Sequence, residues 1–229
     1  EIIVFIMAGG LGKRLRPLTN KIPKPLVTVG SKPIIKILVE KFRQSGFLNF
    51  FISVFFKSSD IKKSLGYGDK NYTIKYIEEQ NPLGTAGSLS KIKKTNLKGP
   101  IIVINADILT NIDFNELLNY HKVNNSDITV CVRQYSLNIP FGVVKSENKK
   151  ISIIDEKPNK NFFVNAGIYV LEKKIVQKLQ NNKKIDMPDF INSLVKKKKV
   201  LSFPIFEDWH DIGEIKELIE VRKLYSKNH

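Results

Sequence analysis

Apolar positions along this chain recur with two different spacings, and the spacings alternate. Residues 2–7 form a continuous apolar run that reads as a buried strand and stops at Ala8-Gly9-Gly10. Ile34, Ile37, Leu38 and Phe42 then recur at helical spacing, with Pro33 near the first turn and Gly46 past the end. The same reading predicts strands over 50–56 and 74–77, a short helix over 59–65, and a helix over 88–94 directly after a second glycine loop. A short strand over 101–104 and an amphipathic helix over 113–123 follow. Strands are expected at 128–132, 142–144, 151–156, 163–164, 167–171 and 203–206, and helices at 173–179, 187–195 and 215–224. Strands and helices alternate early, which predicts an α/β fold of parallel βαβ units with right-handed crossovers. No repeat or long linker interrupts the pattern, so a single domain over 1–229 is expected.

The first strand runs into Ala8-Gly9-Gly10-Leu11-Gly12-Lys13-Arg14, then Arg16, then Pro23-Lys24-Pro25. Glycines at this density let the backbone turn with positive φ and let a bulky anion approach main-chain N–H groups. Arg14, Arg16 and Lys24 add fixed positive charge for phosphate oxygens. Such a loop at the carboxyl end of a strand lies where open α/β sheets bind ligands. It is not a P-loop: Gly12-Lys13 is followed by Arg14, and Met7 stands where the first glycine belongs. The dinucleotide fingerprint fails as well, because Leu15 occupies its last glycine position.

Further pieces follow in order. Glu78-Glu79-Gln80-Asn81-Pro82-Leu83-Gly84-Thr85-Ala86-Gly87 is a second glycine loop, whose N–H groups could hold a base edge or a sugar hydroxyl; a plain strand-to-helix turn reads equally well. Asn105-Ala106-Asp107 ends a buried strand, which aims a carboxylate into the same crevice, although an N-cap or turn role fits too. Phe141-Gly142-Val143-Val144, Glu156-Lys157-Pro158, Asn165-Ala166-Gly167-Ile168-Tyr169 and Asp211-Ile212-Gly213 complete the series. His210 reads as packing or surface, and His121 and His229 carry no argument.

The order G-G-x-G-x-R, P-K-P, P-L-G-T-A-G, N-A-D, G-V-V, E-K-P, N-A-G-I-Y, D-I-G closely resembles the sugar-1-phosphate nucleotidyltransferases, the nucleoside-diphosphate-sugar pyrophosphorylases, over nearly the whole chain. Lys13 departs from the threonine usual before the arginine. The resemblance implies a Rossmann-like, mixed and mostly parallel sheet flanked by helices, of the kind called GT-A-like. It also implies a nucleotide-binding half over about 1–110 and a sugar-binding half over about 111–229. Arg14 and Lys24 would be catalytic. Ala8, Gly9, Gly10, Gly12, Lys13, Glu79, Gln80, Gly84 and Thr85 would bind nucleotide. Gly142, Glu156, Lys157, Asn165 and Gly167 would bind the sugar phosphate, and Asp107 and Asp211 would hold Mg²⁺. Two carboxylates suffice for an ion that also takes phosphate oxygens and water.

The implied reaction is transfer from an NTP to a sugar-1-phosphate. The second loop and the ending F-P-I-x-E-x-W-x-D-I-G resemble the guanylyltransferase branch, closest to enzymes that make GDP-glucosamine for bacterial legionaminic acid synthesis. GTP and glucosamine-1-phosphate are therefore favoured, with uridylyl or thymidylyl transfer, or a non-catalytic nucleotide-sugar-binding subunit, as alternatives. Members of that branch often carry CBS domains before the transferase. This chain starts at Glu1 without Met, so it is expected to be a fragment lacking such domains.

Composition changes little. The 229 residues suffice for one large α/β core, and 42% hydrophobic content is ordinary. No apolar run has the length of a membrane span, and no secretory signal is evident. Cys131, the one cysteine, sits in an apolar run and reads as a buried small residue, which with the lack of disulfides suggests a cytoplasmic setting. The formal charge of +16 invites a nucleic-acid reading, but it comes mostly from lysines spread along the chain. A basic surface would instead steer anionic nucleotides to the site. The expected partners are an NTP and a sugar-1-phosphate, without nucleic acid or membrane, and a homo-oligomer stays open.

Overall fold

A computed structural model describes residues 2–93, 95 and 99–227, with side chains to Tyr225. Lys94, the end of the helix expected over 88–94, and His229 lie outside the described residues.

The apolar run at the start becomes the strand Ile3–Ala8, and it is the centre of the sheet. It pairs in parallel with Asn49–Val54 on one side and Ile101–Asn105 on the other. Tyr72–Glu78 continues the parallel set beyond Asn49–Val54, and the two-residue strand Gly68–Asp69 closes that edge antiparallel. On the other side Asn159–Leu171 pairs antiparallel with Ile101–Asn105, then Ile128–Asn138 antiparallel with it, then Val200–Ile205 parallel at the far edge. Among the described residues these eight strands form one sheet. The expected mixed, mostly parallel α/β architecture is present.

Side-chain parity divides the core. Val4, Ile6, Phe50, Ile52, Ile102 and Ile104 face one way and meet the helices Ile34–Gln44, Ser58–Leu65 and Phe114–Val123 through Leu38, Phe42, Ile61 and Leu117. Phe5, Met7, Phe51, Ile101 and Val103 face the other way, against Leu89, Val176 and Phe190. Alternate residues of a strand point to opposite faces, and with helices on both sides the strand must be apolar throughout. Phe42 stacks on Phe114 at 3.8 Å between ring centroids, which ties two of those helices together.

Several boundaries differ from the sequence expectation. The segments expected at 163–164 and 167–171 are one strand, Asn159–Leu171, with a register shift between Asn165 and Tyr169. Its partner Ile128–Asn138 runs six residues beyond the expected end at 132, into polar sequence with no core beneath it. The helix expected from 88 starts earlier, as Gly84–Gly87, and tightens to a 3₁₀ turn over Ser88–Ile92. A ribbon of Ile108–Thr110 against Trp209–Asp211 was not expected at all. Its strands have three residues each, too short to show a period.

Candidate functional site

Register explains how distant segments reach one place. Ala8 pairs with Val54, Val54 with Glu78, and Met7 with Asn105, so these strands end together. The loops that leave them share one crevice at the carboxyl end of the sheet. A cavity of about 440 Å³ there is bounded by Gly9, Gly10, Gly12 and Lys13 of the first loop and by Glu79, Gly84 and Thr85 of the second. Asn105 and Asp107 form part of its wall. A small recess beside it reaches Ala8 and Lys24, and a further one of about 190 Å³ reaches Asn165, Gly167 and Asp211. The three share lining residues and make one continuous cleft.

Gly12 shows why the first loop needs glycine. Its φ is +60°, and a Cβ there would stand 3.0 Å from side-chain carbons of both Lys24 and Thr19. Thr19 in turn donates to the Gly12 carbonyl at 2.7 Å, which locks the loop over the turn that carries Lys24. Lys24 is mostly buried, and its ammonium forms an ion pair with Asp107 Oδ2. The other oxygen, Asp107 Oδ1, is buried without a partner.

Asp211 is brought to Asp107 by the unexpected ribbon. It pairs with Ile108, and the next amide, Ile212 N, donates to the Asp107 carbonyl at 3.0 Å. Asp211 Oδ1 is likewise buried without a partner. Burial, with the Asp107 charge adding to it, pushes the Asp211 carboxyl up to about 6, while Lys24 pulls the other way. Two neighbouring carboxylates with orphaned oxygens, next to a cavity walled by glycines, fit a hard dication that completes its shell with phosphate oxygens and water. Among the described residues no group of three or more His, Cys, Asp or Glu side chains gathers to hold a metal, so any ion here depends on the ligand for its remaining oxygens.

Arg14 is two-thirds exposed, and its nearest acidic partner is Glu214 at 3.9 Å. Its guanidinium lies on the backbone of Gly213, where a Cβ would stand 3.1 Å from it. The glycine of D-I-G therefore admits Arg14, and this contact brings the first loop to the Asp211 segment.

The second loop departs from expectation. Thr85 N donates to Asp186 Oδ1 at 3.0 Å, and Ala86 N and Gly87 N donate to the Ile185 carbonyl at 3.0 and 3.2 Å. Leu83 N donates to Glu79 Oε2 at 2.9 Å. These amides are satisfied within the chain, that of Leu83 by Glu79 and those of Thr85, Ala86 and Gly87 by the segment packed behind the loop. Glu79 is 9% exposed, and burial raises its pKa against the pull of the Leu83 amide and Lys91. Its Oε1 would lie 2.7 Å from a Cβ at Gly9, which ties the two loops together. Gln80 is exposed and lies outside the cleft lining.

Asn165 and Gly167 reach the cleft through the register shift in their strand. Asn165 donates to the Tyr169 hydroxyl at 2.7 Å and accepts from Gly167 N at 3.0 Å. Gly167 has φ +71° and lies against Asn105, whose Nδ2 a Cβ would approach to 2.6 Å. Gly142, Glu156 and Lys157 are exposed on and beside a separate hairpin and do not line the three recesses. Within that hairpin region Gly142 and Glu156 are neighbours, Glu156 Oε2 standing 3.0 Å from a Cβ at Gly142.

Sequence reasoning missed Ser53, Asn105 and Asp186 as lining residues. Asp186 had a signal, since Asp-x-Pro starts the helix Met187–Asn192, but its carboxylate goes to Thr85, 101 positions away, instead of capping its own helix.

A family model described as nucleotidyl transferase matches residues 3–228. The chain is 30% identical over 230 residues to the mannose-1-phosphate guanyltransferase of Debaryomyces hansenii, covering 96% of this chain and 64% of that protein. It is 31% identical over 233 residues to the mannose-1-phosphate guanyltransferase of Saccharomyces cerevisiae, with the same two coverages. The chain thus spans just under two thirds of the length of these relatives. Among solved structures, HddC from Yersinia pseudotuberculosis superposes with a TM-score of 0.75 at 26% identity, over 97% of this chain and 99% of that one.

Proposed function

Because the chain belongs to the nucleotidyl transferase family, we propose that it transfers a nucleotidyl group from an NTP to a sugar-1-phosphate, giving an NDP-sugar and pyrophosphate. The observation that carries this reading is the Lys24–Asp107 pair at the floor of a glycine-walled cleft, with the orphaned oxygens of Asp107 and Asp211 beside it. A cation held in place next to two underused carboxylates suits a reaction between two polyanions.

An oxygen of the sugar phosphate attacks the α-phosphorus in line, and the bond to the bridging oxygen of pyrophosphate breaks as the new O–P bond forms. The nucleophile is already an anion, so no general base is needed. What remains for the protein is positioning and charge neutralisation. Gly9, Gly10 and Gly12 leave room for the triphosphate against the main chain, with Ala8 and Lys13 at its edges. Lys24 lies between the α-phosphate and the incoming phosphate. Arg14, two-thirds exposed beside Glu214, turns to the leaving pyrophosphate. Asp107 and Asp211 would hold Mg²⁺, which would supply further neutralisation of phosphate charge. Asn165, Gly167, Gly142 and Glu156 meet the sugar, while Lys157 seats its phosphate from the hairpin side. A nucleotide half over about 1–110 and a sugar half over about 111–229 remain the working division, in a cytoplasmic setting where NTPs are abundant.

Guanine is the favoured base. Its Watson–Crick edge presents two adjacent donors to a carboxylate, and Glu79 borders the cavity. The guanyltransferase names of the relatives support the same choice. Glucosamine-1-phosphate is the favoured acceptor, on the motif resemblance to the legionaminic acid branch. Mannose-1-phosphate is the second reading, favoured by those same relatives. The test is pyrophosphate release with Mg²⁺ from GTP, UTP, dTTP, CTP and ATP, each offered glucosamine-, mannose- and glucose-1-phosphate. Release confined to GTP with glucosamine-1-phosphate supports the full reading. Release with mannose-1-phosphate selects the second, and release with UTP or dTTP discards the guanine assignment. Nucleotide binding without release from any pair overturns the enzymatic reading in favour of a binding subunit.

A further inference from the structure

The ribbon of Ile108–Thr110 against Trp209–Asp211 sets Asp211 beside Asp107, yet among the described residues it is a two-stranded sheet by itself. A free-standing pair of strands is marginal in water, so its position depends on what flanks it. The helix Ile34–Gln44 runs along it. Ile34, Ile37 and Lys41 stand at positions i, i+3 and i+7 and share one face of that helix. Ile34 and Ile37 join Leu109 and Ile212 in an apolar cluster, completed by Leu218 and Val221 of the last helix, Ile215–Lys227. That cluster holds the end of the ribbon nearest Asp211.

The far end borders a cavity of about 350 Å³ lined by Lys41, Asn111, Asp208 and His210, and polar contacts do the holding there. Lys41 is half-buried, and its ammonium donates to the Thr110 carbonyl at 2.6 Å and to Asn111 Oδ1. Asn111 passes the contact to the other strand. Its Nδ2 donates to Asp208 Oδ2 at 3.3 Å, and its main-chain amide to the Asp208 carbonyl at 2.9 Å. Burial disfavours the Lys41 charge, and the Asp208 carboxylate works against that penalty. One side chain from the helix thus closes a bracket over both strands.

We infer that Lys41 is a positioning residue for the Asp107–Asp211 pair, acting through the Thr110–Asn111–Asp208 bracket. It acts at a distance: Thr110 lies two pairs along the ribbon from the Ile108–Asp211 pair, about 7 Å away. The apolar cluster fixes one end of the ribbon and Lys41 the other, which together set the angle at which Asp211 meets Asp107. The two orphaned oxygens, Asp107 Oδ1 and Asp211 Oδ1, sit on opposite strands of this unit or at its edge, so a tilt of the ribbon changes their separation. Groups behind the ligands of a metal commonly tune its affinity by about 10–100-fold through such placement. The inference rests on the metal role proposed above for the two aspartates.

Thermal melts of the wild-type chain, Lys41→Met, Lys41→Arg and Asn111→Ala, in EDTA and across a series of Mg²⁺ concentrations, test this. The quantity read is the Mg²⁺ concentration that gives half of the Mg²⁺-dependent stabilisation. Lys41→Met and Asn111→Ala should raise it by about 10–100-fold, and Lys41→Arg, which can donate to the same two oxygens, should restore most of the loss. A packing role alone would lower the melting temperature in EDTA and leave the Mg²⁺ half-point unmoved. That outcome overturns the inference, and Asn111→Ala, at an exposed position, delivers it even where Lys41→Met fails to fold. A wild-type chain that Mg²⁺ does not stabilise overturns the inference together with the metal role. No turnover is read, so a failure to release pyrophosphate would refute the proposed reaction without altering this result.

Discussion

Lys24 spends its charge on one oxygen of Asp107, while the other oxygen of the same carboxylate is buried with nothing to accept from. One side chain thus joins the cation of the first loop to the ribbon that carries Asp211. A change at any of these residues should be read in the other two.

Removing the cation by Lys24→Ala should lower pyrophosphate release by about 10²–10³-fold, the scale on which a preorganised charge stabilises a transition state. The fold should survive with some loss of stability, because Asp107 is left without the partner of a mostly buried ion pair. Circular dichroism with a single-turnover assay separates the two, and a variant with wild-type turnover would sink the mechanism.

Asp211→Asn should raise the melting temperature of the metal-free protein. Burial and the Asp107 charge both disfavour its ionised form, and the amide removes that conflict. The same change should abolish the stabilisation that added Mg²⁺ gives the wild type. Thermal melts with EDTA and with Mg²⁺ decide both points, and undiminished Mg²⁺ stabilisation in the variant would remove Asp211 from the metal role.

Glycine is required to different degrees in the two loops. Gly84 has φ +73°, and a Cβ there would stand 2.6 Å from the Ile185 carbonyl and 2.7 Å from Asp186 Oδ1. Gly84→Ala should cost about 1–3 kcal/mol of stability. Gly10 has nothing within 4 Å of its Cβ position, so Gly10→Ala should leave stability unchanged and weaken nucleotide binding alone. Urea unfolding beside nucleotide titration distinguishes the cases, and equal stability losses would refute the contrast.

His121 predicts an acid-side loss of stability. Its imidazole is fully buried, with Nδ1 2.8 Å from Thr129 Oγ1 and Nε2 3.2 Å from Glu172. Burial holds its pKa below the ordinary value, although Glu172 pulls it up. In the unfolded chain the ring takes a proton as pH falls through about 6.5, while the folded chain still refuses it. This contribution is therefore full above about pH 6.5 and declines below it, until the folded ring also titrates. The urea midpoint between pH 8 and pH 5 should fall less in His121→Gln than in the wild type; identical slopes would assign the decline to other groups.

The strands over 3–8, 49–54 and 101–105 were legible because largely apolar runs leave few alternatives to buried parallel strands, and the strand over 72–78 was legible from alternation around Ile74 and Ile77. The helix of Ile34–Gln44 was legible from its spacing and from Gly46. The ribbon that sets Asp211 beside Asp107 was not, because three-residue strands show no period and their pairing spans a hundred positions. The use of Asp186 on the second loop was hidden for the same reason.

The α/β class, the glycine loop after the first strand, and the residue types that reach the cleft follow from local spacing and backbone freedom. Which of them meet depends on how distant segments pack. Parallel register gathers the strand ends into one crevice, the short ribbon joins the two aspartates, and Arg14 rests on Gly213 because that residue has no Cβ. The same structure gave the second loop's amides to Ile185 and Asp186, and left Glu156 and Lys157 exposed beside a separate hairpin. Those outcomes turn on contacts between distant segments, which no local pattern encodes.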